Sequence, residues 1–131
     1  MALTYRILCL DDMEVRHQAF RHWFREHTLD EAKDAPAAIN LLDNFDYDLV
    51  MLDHDLAEEH YAQAESGASH VGTGVDVALH IAKMPAEHRP KLVVIHSVNP
   101  AGAANISAAL SGARVKFVVK PFDPRSPVRF K

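Results

Sequence analysis

Four polar clusters in this chain each sit at the end of an apolar run. Asp11 and Asp12 follow RILCL (Arg6–Leu10), and Asp53, His54 and Asp55 follow DLVML (Asp48–Leu52). His96, Ser97 and Asn99 close KLVVIH (Lys91–His96), and Lys120 follows Val115–Val119. Brought together, the carboxylates of Asp11, Asp12, Asp53 and Asp55 repel one another unless a cation sits among them. Oxygen donors favour a hard ion, Mg²⁺ first, with Mn²⁺ or Ca²⁺ as substitutes. Such an ion can bridge to a phosphate oxygen and offset its charge. Lys120 adds an ammonium, Ser97 a hydroxyl, and Asn99 opens a helix whose N-terminus favours an anion. Arg16, one turn into the first helix, can grip a phosphate with two N–H groups or pair with Asp12. His54 and His96 supply two imidazoles that can act as base and acid on a phosphodiester near neutral pH. Two other roles stay open for them: structural histidines bonded to backbone, or ligands of a transition metal together with Asp53 or Asp55.

These clusters need elements to position them, and the pattern supplies a parallel α/β sheet. Buried strands are expected at Arg6–Leu10, Asp48–Leu52, Lys91–His96 and Val115–Val119, with a less clearly marked strand near Thr28–Lys33. Helices alternate with them. The first, Met13–His27, places Arg16, Phe20, Trp23 and Phe24 on one side. The second starts at Ala35 with Asp34 as cap and Pro36 in the first turn, and turns Ala38, Ile39, Leu41 and Leu42 inward. The third starts near Gly74, after a Thr73-Gly74 turn, and ends before Pro85. The fourth opens at Asn99-Pro100, with Gly112 as a left-handed stop. The stretch from His54 to Gly72 is long for a connection, as functional loops are; His60 and His70 on it read as solvated. His17, His22 and His27 recur every five residues, share no helix face, and are assigned no site.

Composition bounds the rest. With 131 residues, 48% apolar and 24% charged, the chain fits one ordered domain, residues 1–131, with a core at 5–122 and an irregular tail at 123–131. A net charge of −4 argues against an extended nucleic-acid surface. The one cysteine, Cys9, lies in an apolar run, so a buried thiol and a cytoplasmic setting are expected. No signal peptide or membrane span is read from the sequence.

Asp11-Asp12, Asp53, Ser97 and Lys120-Pro121, spread over residues 5–122, resemble the receiver domain of two-component response regulators. Phe117 matches that family's aromatic position on the fifth strand. The resemblance implies a five-stranded doubly wound sheet of order 2-1-3-4-5, Mg²⁺ on the paired acids, and phosphorylation of Asp53. It also implies phosphoryl contacts from Ser97 and Lys120, and a commonly cis Lys-Pro bond. Other features depart from the receivers: the last helix is missing or vestigial, His54-Asp55-Leu56 follows Asp53, His96 precedes Ser97, and the loop after the third strand is expanded. The strings LDD with Arg16, LDHDL (Leu52–Leu56), TGVDVA (Thr73–Ala78) and HSVNPAG (His96–Gly102) resemble the cyclic-phosphate processing receiver domains. That likeness implies a metal-assisted phosphoesterase acting on a cyclic or terminal phosphate of a nucleotide or RNA end. A single-domain response regulator phosphorylated at Asp53, or a non-catalytic nucleotide- or protein-binding module, are the alternatives. The expected partner is a phosphate-containing small molecule or RNA end, not a membrane; a homodimer is left open.

Overall fold

The alternation of Leu8 and Leu10 with Ile7 and Cys9 decides how β1 (Arg6–Leu10) sits. All four side chains are fully buried, which requires layers on both faces. A computed structural model, which describes residues 3–55 and 73–128, supplies those layers. The chain runs β1, α1 (Glu14–Trp23), β2 (Thr28–Ala32), α2 (Ala35–Asn44), β3 (Leu49–Leu52), α3 (Gly74–Lys83), a 3₁₀ turn (Ala86–His88), β4 (Leu92–Ile95), α4 (Pro100–Gly112) and β5 (Phe117–Val119). The strands form one parallel sheet in the order β2-β1-β3-β4-β5.

On one face Leu8, Leu10, Val50, Leu52, Val93 and Ile95 pack under α2, α3 and α4. On the other, Ile7, Cys9, Leu49, Met51 and Val94 pack against Phe20 and Phe24 of the α1 segment, with Trp23, Phe122 and Val128 alongside. Among the described residues no helix follows β5; the tail instead lays Phe122 and Val128 on this face. Phe122 donates its N–H to His96 O at 2.9 Å and stacks on Trp23 at 5.4 Å.

Local chemistry explains most boundaries. Asp34 caps α2 by accepting from Ala37 N at 2.8 Å. Thr73 and Asp76 form a reciprocal capping box on α3. Asn99 caps α4 through Gly102 N at 3.2 Å. The helix at α1 ends at Trp23, four residues before the expected end, where Phe24 turns into the core. Helix α4 includes Gly112, and the left-handed residue is Arg114 (φ 60), so Gly112 is not the stop expected of it. Strand β2 lacks an unbroken apolar run because it is an edge strand carrying acids, which are paired with cations: Asp30 with Arg6 at 2.9 Å and Glu31 with Arg21 at 2.6 Å. At the far ends of α3 and α4, Arg89 donates to the carbonyls of Ala82, Met84 and Ala113 at 2.8–3.0 Å. It thereby satisfies groups that helix ends leave open.

Helix α3 approaches the end of β3 so closely that a Cβ on Gly74 would collide with the backbone carbonyl of Asp53. That oxygen belongs to the sheet end and has little room to move. Gly74→Ala is therefore expected to destabilise the protein by about 2 kcal/mol or more, as overpacking does. Urea denaturation of the variant and wild type measures it.

Candidate metal and phosphate site

Strands β1 and β3 are adjacent and end level, with Leu10 paired to Leu52, so Asp11 and Asp53 emerge side by side. Strand β4 pairs Ile95 with Leu52 and brings His96 to the same edge. One carboxylate oxygen each from Asp11 and Asp53 and a ring nitrogen of His96 lie within 4.8 Å of one another. In a parallel doubly wound sheet this edge is where ligands bind.

Asp11 is the best-anchored of these groups, with no exposed surface. Its Oδ1 accepts from Met13 N at 2.8 Å; its Oδ2 accepts from His96 Nε2 at 2.8 Å and Arg16 at 3.1 Å. Burial works to raise its pKa, yet the His96 bond, the Met13 amide and the Arg16 charge outweigh it and hold the carboxyl below its ordinary value. Asp53 is 4% exposed and differs in sign. Burial, then the Asp11 charge, push it up to about 7, although Arg16 at 3.8 Å opposes the shift. Asp12, partly exposed, is also raised, by burial and by Asp11. The three carboxylates thus carry more negative charge than Arg16 offsets. Closely spaced oxygen donors with a surplus of charge fit a divalent cation.

Several residues stand elsewhere than the sequence suggested. His96 is fully buried against Phe20, with ring centroids 5.4 Å apart. Burial lowers its pKa, and its Nε2–H donates to a carboxylate. It orients Asp11 and does not face a ligand as an acid or base, which corrects that expectation. Lys120 donates its Nζ protons to Ser126 O at 2.7 Å and Oγ at 2.9 Å, so its ammonium points at the tail and not at the carboxylates. The described residues contain no cis peptide bond, so Lys120-Pro121 is trans. Ser97 Oγ accepts from Asn99 N at 3.1 Å, and Asn99 caps α4; both are engaged in the turn into the helix.

Asp55 lies outside the carboxylate group, half exposed, and joins a second cluster. His54 Nδ1 is 2.8 Å from Asp55 Oδ1, which also accepts from Asn99 Nδ2 at 3.3 Å. A Cβ on Gly102 would strike the His54 ring, so that glycine gives the imidazole its seat on α4. Two further participants carried no recognisable signal. His17, to which the spacing assigns no site, is fully buried, and its Nε2–H donates to the Asp11 carbonyl at 2.7 Å. Phe122 lies under the Arg16 guanidinium, 5.1 Å from the ring centroid. His60 and His70 fall outside the described residues.

A family model described as the cyclic-phosphate processing receiver domain matches residues 6–112. The chain belongs to this family. Solved receiver domains share the fold of this cyclic-phosphate processing receiver. The CheY-like receiver domain from Methylobacillus flagellatus is 16% identical with a TM-score of 0.65, covering 95% of this chain and 92% of its own. The response regulator TrrA from Thermotoga maritima, solved with Mg²⁺-BeF, is 23% identical with a TM-score of 0.64, covering 92% and 90%. The signal receiver domain of an HD domain-containing protein from Pseudomonas fluorescens Pf-5 is 20% identical with a TM-score of 0.61, covering 94% and 87%. At these identities the likeness shows the fold alone. No curated protein matches the chain. Among the described residues no helix is long and apolar enough to cross a membrane.

The raised pKa of Asp53 has a definite consequence for stability. A carboxyl that titrates near 3.9 when unfolded and about 7 when folded stabilises the fold below the lower value. That contribution is lost as pH rises from about 4 through about 7. His96, whose pKa is lowered, works in the opposite direction, so the comparison must be with Asp53→Asn. In EDTA, the Tm of wild type relative to that variant is expected to fall by several °C between pH 4.5 and 8. A scanning-fluorimetry series measures it, and a flat difference would refute the assignment.

Proposed function

We propose that this receiver domain is a metal-assisted phosphoesterase acting on the cyclic or terminal phosphate of a nucleotide or RNA end. The observation that carries the reading is the pairing of an under-neutralised acid group, Asp11, Asp12 and Asp53, with the neighbouring His54–Asp55 couple. The family's description supports the cyclic-phosphate part.

Asp11 and Asp53, with Asp12 beside them, would hold a divalent cation, Mg²⁺ first, which would offset charge on a phosphate oxygen. His96 and the Met13 amide keep Asp11 ionised and aimed, and His17 fixes its backbone. Asp55 accepts the Nδ1–H of His54, and among the described residues Nε2 has no partner, so it can take a proton from an attacking water. As the water oxygen bonds to phosphorus the scissile P–O bond breaks, the departing oxygen takes a proton from solvent, and the imidazolium formed on His54 lies against the Asp55 carboxylate. Gly102 keeps the ring in place, and Arg16 offers N–H groups to the phosphate.

A panel of 2′,3′-cyclic nucleotides and cyclic oligonucleotides with Mg²⁺ or Mn²⁺ tests this. Turnover is expected for at least one member, and His54→Ala is expected to lower kcat by about 10²–10⁴-fold. Binding that survives His54→Ala without any product would point to a non-catalytic binding module. No turnover and no binding across the panel would sink the proposal.

The receiver fold itself favours a second reading, phosphorylation of Asp53 at the end of β3. Acetyl phosphate should then add a phosphoryl group detectable by mass, and Asp53→Asn should abolish it. If no adduct forms with Mg²⁺ present, this reading fails.

A further inference from the structure

Arg16 lies where a bound cation would offset the carboxylates. Its guanidinium is 3.1 Å from Asp11 Oδ2 and 3.8 Å from Asp53 Oδ2. Asp11 Oδ2 also accepts from His96, so both of its lone pairs are in use. A divalent cation that bonds to this oxygen must displace one of the two donors. His96 is fully buried and closed in by Phe20, whereas the Arg16 side chain is 15% exposed, at the rim, on a flexible stem. Repulsion between the incoming ion and the guanidinium is also strong where water screens little. Arg16 is therefore the donor that gives way.

The structure provides a second seat for it. The Arg16 guanidinium already overlaps the Phe122 ring, at 5.1 Å from its centroid. An aromatic face is a favourable place for a guanidinium. Phe122 is in turn stacked on Trp23 at 5.4 Å and 21°.

We propose that Arg16 is a resident counter-ion that exchanges with the divalent cation. It holds Asp11 and Asp53 together in the cation-free protein. When the ion enters, it leaves them for the face of Phe122, with its N–H groups turned toward an incoming phosphate. The inference rests on the metal-dependent reading given under Proposed function. It predicts the reverse of what is expected for a residue that helps bind the ion: removing Arg16 strengthens cation binding. It also makes Trp23, the one tryptophan in the chain, a reporter of the exchange through Phe122.

The test is calorimetric titration with Mn²⁺ at pH 8, with Trp23 fluorescence followed in parallel and circular dichroism as the check on folding. Wild type should bind Mn²⁺ with a change in Trp23 emission. Arg16→Gln should bind about tenfold more tightly and lose that change. Arg16→Lys, a point charge without the planar fork, should fall between them. Phe122→Leu should keep Mn²⁺ binding and lose the emission change. Should Arg16→Gln not fold, Arg16→Lys and Phe122→Leu carry the same test. Equal or weaker binding in the Arg16 variants, or an emission change that survives Phe122→Leu, overturns the exchange while leaving the metal reading intact. If no folded variant and no wild type bind Mn²⁺, the metal reading falls and the exchange with it.

Discussion

The site depends on keeping one buried carboxylate ionised. Asp11 has no contact with water and sits beside Asp53 and Asp12, all conditions that favour a proton on it. It stays charged because every side of it is satisfied: an amide on one oxygen, an imidazole and a guanidinium on the other, and a second imidazole on its own carbonyl. Burying a charge is tolerated only on such terms. The cost is displaced onto Asp53, which receives the repulsion without an equal set of donors and becomes the group most in need of a cation.

That division of labour separates two kinds of histidine. His17 and His96 both make edge contacts with Phe20, with centroids 5.7 and 5.4 Å from it, and serve as buried hydrogen-bond donors to Asp11. His54 lies at the rim, its side chain 16% exposed, with a carboxylate partner on Nδ1. A buried imidazole with its working nitrogen committed to a carboxylate orients, while a rim imidazole backed by a carboxylate can exchange protons.

Much of this was legible in the sequence and some was not, for physical reasons. The strands β1, β3 and β4 announce themselves because burial on both faces requires unbroken apolar runs, and each run stops at the polar residue that opens the site. The caps at Asp34 and Asn99 are readable because their chemistry is local, while Thr73 reads only as a turn residue and its capping box emerges from the structure. Side-chain direction was not. Lys120 follows β5 as expected, yet its ammonium is held by Ser126 six residues on, a contact that no strand pattern encodes. His96 and His54 look equivalent in sequence, each at a strand end, and only packing against Phe20 or Gly102 tells them apart. His17 was passed over because spacing among the histidines says nothing about what a single one faces. Gly74 of TGVDVA reads as a turn residue and Gly102 of HSVNPAG carries no reading, whereas the collisions a methyl group would make show that both let α3 and α4 approach the end of β3.

The three bonds of Arg89 join those same two helices at their C-terminal ends. Their distal carbonyls are riveted to one planar group, far from the sheet edge that carries the acids. At the opposite ends, each helix opens on a short cap and carries a glycine that abuts the end of β3: Gly74 against Asp53 and Gly102 against His54. One side chain, Arg89, therefore ties together the two helices that seat Asp53 and His54, and loosening it would be felt at the sheet edge.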